Sequence, residues 1–122
     1  MSLLSVMVVE EEGAQREALA EFLRWRGYRV VTFASGRDAV DWLRSEDEGI
    51  AAAIVNWHLP GVGGGGVVAS LRERFPEIPV IVASGSPLSA SERHRPQWSV
   101  AIRKPFSMRR ITHVLSELVQ QT

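Results

Sequence analysis

The sequence predicts a doubly wound, five-stranded parallel α/β domain, and three observations carry that expectation. Five short runs rich in Val, Ile and Ala recur along the 122 residues. Each is close to continuously apolar rather than alternating, which is the pattern of strands covered by helices on both faces. Helical patterns fall between them, giving the strand–helix alternation of a parallel sheet. The length fits a single domain over residues 1–122, large enough to bury a core.

Strands are expected at Ser5 to Val9, Arg29 to Phe33, Ile50 to Asn56, Pro79 to Ser84 and Val100 to Lys104. The first helix follows from the stripe Ala14, Ala18, Leu19, Phe22 and Leu23, with Gly27 at the position where a helix stops. Ser35 is placed to cap the second, with Asp38 three residues on at capping-box spacing and Ala39, Val40 and Leu43 toward the sheet. The third should include Val67 to Arg74, with Gly65 and Gly66 weakening its first turn by about 1 kcal/mol each relative to alanine and leaving its entry loose. Between the last two strands, Pro87 and Pro96 leave the segment 85–99 room for a turn or two, so the fourth helix is expected to be short or irregular. The last helix is announced by Ser107 as cap and by Ile111, Val114, Leu115, Leu118 and Val119 at helical spacing.

Composition excludes the extremes. With 45% hydrophobic and 23% charged residues the chain is neither disordered nor membrane-embedded. The apolar start from Leu3 is interrupted at Glu10 and has no basic leader, so a cytoplasmic location with no membrane partner is the expectation. With no cysteine there are neither disulfides nor thiolate metal sites. The net charge is zero but uneven: residues 1–60 hold ten acids and six bases, residues 91–122 six bases and two acids. Without an overall basic balance, direct nucleic-acid binding is not expected.

In open parallel sheets functional groups gather at the carboxyl ends of the strands. Here those ends offer Glu10 and Glu11, Asn56, Ser84, and Lys104 before Pro105. Lys104 is informative because it is the single lysine among fourteen basic residues. An ammonium is a compact charge on a flexible stem, suited to reaching into an acidic cluster where a broad guanidinium is not.

These residues, with Leu59-Pro60-Gly61 after Asn56 and Phe106 after Lys104-Pro105, closely resemble the receiver domain of bacterial two-component response regulators. The resemblance runs from Val6 to the last helix and implies a flavodoxin-like, CheY-like (βα)5 fold. In that family an acidic pair and an acceptor aspartate hold Mg²⁺, the aspartate attacks a phosphoryl donor, and the hydroxyl and lysine contact the phosphoryl group. Carried over, Glu10 and Glu11 are the acidic pair, Ser84 the hydroxyl residue, Lys104 the lysine, and Asn56 stands in the acceptor position.

Asn56 is the departure that matters. Its amide is neutral and its nitrogen lone pair is delocalised, so it cannot form an acyl phosphate. With one carboxylate fewer, Mg²⁺ at Glu10 and Glu11 should bind weakly, and no cofactor is required. Three residues before the lysine, where the family carries an aromatic that rotates on activation, stands Ala101. The expected function is therefore an atypical, non-enzymatic receiver that contacts a signalling protein, either a histidine kinase or an output domain.

Two alternatives use other residues. A receiver still responsive to phosphate would bind it non-covalently or use an acceptor such as His58 or Ser84. A small-molecule or nucleotide site would use Gly61, Gly63 and Gly66, which satisfy G-x-G-x-x-G between a strand and a helix. That run lacks the Lys-Ser/Thr of a P-loop and has no acidic residue at the next strand end. His58, His94 and His113 are too scattered for a metal cluster, and Ser84-Gly85-Ser86 lacks the flanks of a nucleophile elbow. Ordinary packing is the expected role of Trp25, Trp42, Trp57 and Trp98, with an interface anchor among them the alternative.

Overall fold

In the computed structural model, which describes residues 3–45, 48–93 and 97–120, five strands and five helices alternate. They are β1 (Ser5–Val9), α1 (Gly13–Trp25), β2 (Arg29–Phe33), α2 (Gly36–Ser45), β3 (Ala52–Asn56), α3 (Gly63–Arg74), β4 (Val80–Ser84), α4 (Ala90–Arg93), β5 (Val100–Arg103) and α5 (Met108–Gln120). All pairings are parallel, in the order β2-β1-β3-β4-β5. The doubly wound sheet expected from the apolar runs is therefore present. Three strands are shorter than expected, because Ile50 and Pro79 precede the ladders of β3 and β4 and Lys104 follows β5.

Alternate side chains of the strands feed two cores. Met7, Val9, Val55, Val80 and Val82 pack with α2 and α3, while Val6, Val8, Ile54, Ile81 and Ile102 pack with α1 and α5. Every residue of β3 and β4 is buried, which explains why those runs are apolar without alternation. β2 and β5 are the edges.

The helix ends follow local chemistry. Ser35 Oγ accepts from Asp38 N–H at 3.1 Å, and Ser107 Oγ from Arg110 N–H at 3.0 Å, so both expected caps form. α1 ends at Gly27, whose φ of 100° lies in the left-handed region. There Tyr28 N–H bonds Leu23 C=O at 3.1 Å and Gly27 N–H bonds Arg24 C=O at 2.9 Å, a Schellman closure. Leu19 and Leu23 of the expected α1 stripe are buried, joined by Ala20, and Phe22 is half-buried, whereas Ala14 and Ala18 are exposed. Alanine fits either face, so the apolar pattern extended the stripe too far toward the start of the helix.

The glycine run lies where the weakened first turn of the third helix was expected: Gly63–Gly66 open α3. A Cβ on Gly64 would stand 2.6 Å from Trp57 Cα and 2.8 Å from Asn56 O, so its lack of a side chain lets α3 approach the end of β3. α4 is a single turn, short as expected; Pro96 and His94 lie outside the described residues.

Candidate functional site

Strand register brings the strand-end residues to one rim. Val9 pairs with Val55, Asn56 with Ala83 and Ser84 with Arg103, so Glu10, Asn56, Ser84 and Lys104 all emerge at the carboxyl edge. Glu10, Asn56 and Ser84 are buried, at 7%, 7% and 2% exposure. Buried polar groups need partners, and each has them.

Glu10 is the centre of the first group. Lys104 Nζ donates to Glu10 Oε1 at 2.7 Å and to Gln15 Oε1 at 3.1 Å. Glu10 Oε2 accepts from Asn56 Nδ2 at 3.3 Å and from Glu12 N–H at 3.1 Å. Contact with the carboxylate fixes the sense of the Asn56 amide, since the opposite orientation would set oxygen against oxygen. Arg16 adds a donor to Glu10 C=O at 3.0 Å.

Ser84 belongs to a second group. Its hydroxyl donates to Ser86 C=O at 2.6 Å and accepts from Ser86 N–H at 3.3 Å. His58 Nε2 lies 3.0 Å from Ser84 Oγ and 3.1 Å from Ser86 Oγ. With the one Ser84 proton directed at Ser86 C=O, the His58–Ser84 contact needs a proton on Nε2. In this arrangement His58 Nε2–H is the donor to Ser84 Oγ.

Glu11 stays apart. Its side chain is exposed and, among the described residues, makes none of these hydrogen bonds. Both oxygens of Glu10 are engaged, and no group of three His, Cys, Asp or Glu gathers among the described residues. This donor set does not fit Mg²⁺, a hard cation that takes several oxygen ligands.

A third group was not read from the sequence. Ser89 N–H donates to Glu92 Oε1 at 2.6 Å and Glu92 N–H to Ser89 Oγ at 3.2 Å, the reciprocal bonds of a capping box. Trp57 Nε1 donates to Glu92 Oε2, and the Trp57 ring meets Trp98 edge-on at 5.1 Å between centroids. The Ser89 N–H, the Trp57 indole and the Ser89 side chain hold the Glu92 carboxyl below its ordinary range. The S-x-x-E spacing at 89–92 was the available signal. Trp42, Trp57 and Trp98 pack against the core, while Trp25 is 79% exposed.

The glycine motif forms no phosphate cradle: Gly64 N–H bonds Trp57 C=O at 3.0 Å and Gly66 faces Val62. His113 pairs on the surface with Glu117 at 2.9 Å. No helix among the described residues is long and apolar enough to cross a membrane.

A five-stranded parallel sheet in this order, with acid, amide, hydroxyl and lysine at one rim, defines a class of signalling domain. Residues 6–116 match the response regulator receiver domain, and the chain belongs to that family. It is 30% identical over 113 residues to the response regulator protein FleR of Pseudomonas aeruginosa, covering 91% of this chain and 24% of FleR. It is 27% identical over 119 residues to the sensor kinase CckA of Brucella abortus, covering 96% of this chain and 13% of CckA. The chain thus spans a quarter or less of either relative. Its fold is similar to that of a CheY-like receiver domain protein from Methanospirillum hungatei, with a TM-score of 0.89 at 20% identity and coverage of 98% and 96% of the two chains.

Proposed function

We propose that this domain is an atypical receiver that works without phosphorylation, as a protein-interaction module in two-component signalling. One observation carries the reading: the Asn56 amide donates to Glu10 Oε2 while Lys104 closes on Glu10 Oε1. Where the family's acceptor aspartate acts, this arrangement presents a neutral amide inside a charge-balanced, hydrogen-bonded cluster. It offers no carboxylate at the acceptor position, and its lysine is already engaged. The domain then has no catalysis of its own and signals by contact with a kinase or output domain.

The test is incubation with Mg²⁺ and a small acyl phosphate, followed by intact mass. The mass of the natural domain should not change. A phosphoryl adduct mapped to Asn56, Ser84 or Lys104 would overturn the reading.

A second reading has its own observation. With Nε2 held by Ser84 and Ser86, His58 Nδ1 has no partner among the described residues and His58 is exposed. An adduct mapped to His58 alone would make this a receiver with an unusual acceptor.

A further inference from the structure

Between the start of α3 and α4 lies a cavity of about 500 Å³ lined by Trp57, Gly65, Ser91, Glu92 and Gln97, none of them from β5 or α5. The glycine run that makes no phosphate cradle supplies one wall of it. A Cβ at Gly65 would stand 3.4 Å from Trp57 Cη2, so the missing side chain keeps the indole uncovered here.

The charge in this cavity has no counterpart. Among the described residues Glu92 makes no ion pair, and its carboxylate is held by neutral donors, Ser89 N–H on Oε1 and the Trp57 indole on Oε2. The neighbouring polar groups are already engaged. Ser91 Oγ lies 3.1 Å from Ser89 Oγ, and Gln97 C=O accepts from Arg72 Nε at 2.7 Å. Arg72 does not neutralise Glu92, because its Nη1 is committed to the carbonyls of Phe75, Pro76 and Ile78.

We propose that this cavity binds a small organic cation carrying a quaternary ammonium group, lodged against the Trp57 ring and the Glu92 carboxylate. A primary ammonium or a guanidinium brings several donors that need free acceptors, and few remain here. A quaternary ammonium brings charge without donors, and its methyl groups suit an indole wall. Donation of the indole N–H to a carboxylate also polarises the ring toward its face, which strengthens its attraction for a cation. The volume leaves room for a substituent beyond the charged group. Trp57 follows Asn56 directly, so an occupant would join the end of β3 to α4 and give a small-molecule input to a domain whose acceptor position is an amide.

The probe is choline chloride, titrated against matched sodium chloride and followed by the NMR shifts of the Trp57 indole and the Gly65 and Gln97 amides. Saturable shifts are expected with choline and none with sodium. The neutral carbon isostere 3,3-dimethylbutanol should bind about tenfold more weakly or worse, since it keeps the shape and lacks the charge. Glu92→Gln should weaken choline binding about tenfold. Gly65→Leu should abolish it by filling the wall, and Gly65→Ala, which favours the helix, should weaken it without loss of stability. No saturable shift up to about 50 mM choline, equal binding of the isostere, or undiminished binding by Gly65→Ala or by a folded Glu92→Gln or Gly65→Leu domain would overturn the proposal. The site does not depend on the state of the rim: phosphoryl transfer would remove the phosphorylation-independent role alone, and absence of choline binding the cavity assignment alone.

Discussion

Lys104 Nζ sits 2.7 Å from Glu10 Oε1, joining the end of β5 to the end of β1 across a sheet in which those strands are not neighbours. The side chains are 20% and 9% exposed, so this pair is more than a surface contact. Removing one partner of a largely buried pair leaves a charge without compensation. Lys104→Met should lower unfolding free energy by about 1–3 kcal/mol, less than for a fully buried pair because water still reaches the lysine. Adding Glu10→Gln should recover part of the loss, and urea unfolding of both single variants and the double variant measures the coupling.

Asn56→Asp sets a second carboxylate where an amide now donates to Glu10 Oε2 from 3.3 Å. Two carboxylates at that distance repel, and a donor to Glu10 is lost. In chelator-containing buffer the variant should be less stable than the natural sequence by about 1–3 kcal/mol. The added carboxylate also supplies the missing oxygen donor, so Mg²⁺ should raise its melting temperature while leaving the natural sequence unmoved. Titration followed by Trp57 fluorescence gives the same comparison at constant temperature. If neither protein responds, more than Asn56 separates this site from a metal-binding one.

Gly64 and Gly65 are neighbours with opposite expectations. A Cβ at Gly64 would lie 2.6 Å from Trp57 Cα and 2.7 Å from Trp57 O, whereas one at Gly65 meets the Trp57 ring at 3.4 Å, an ordinary contact. Gly64→Ala should cost about 1–3 kcal/mol by pushing α3 from the strand end that carries Asn56. Gly65→Ala should gain up to about 1 kcal/mol, because alanine is the better helix former. Thermal melts of the two variants separate close approach from flexibility as the reason for the run.

That contrast shows what the sequence made legible and what it could not. The apolar runs revealed β3 and β4 because burial on both faces leaves no alternation to misread. The Ser35 and Ser107 caps were equally readable, being local hydrogen bonds within three residues. Gly64 was not, since propensity describes a residue in isolation and its glycine answers to a backbone met only through tertiary packing. Nor could three consecutive glutamates be told apart by composition: the strand end buries Glu10 against Lys104 and turns Glu11 outward. Ser84 and His58 are 26 residues apart, and nothing local predicts that the hydroxyl joins the histidine rather than the lysine.

The Glu92 carboxylate joins the single turn of α4 to the Trp57 indole, and acid should release it. Ser89 N–H, Trp57 Nε1–H and the Ser89 side chain favour the charged form, holding the carboxyl below its ordinary value of 4.5. A group depressed in the folded state contributes stability above its unfolded value, and loses that contribution as pH falls through the lowered one. From neutral pH down to about 4.5 the turn should hold; below it, protonation weakens the capping box and the indole bond together. Trp57 emission should then shift, with faster amide exchange at residues 89–93. Other carboxylates titrate in the same range, so the informative quantity is the difference from Glu92→Gln, which keeps the side-chain shape without the charge. If that variant shows the same acid transition at Trp57, the signal arises elsewhere and Glu92 does not hold the turn.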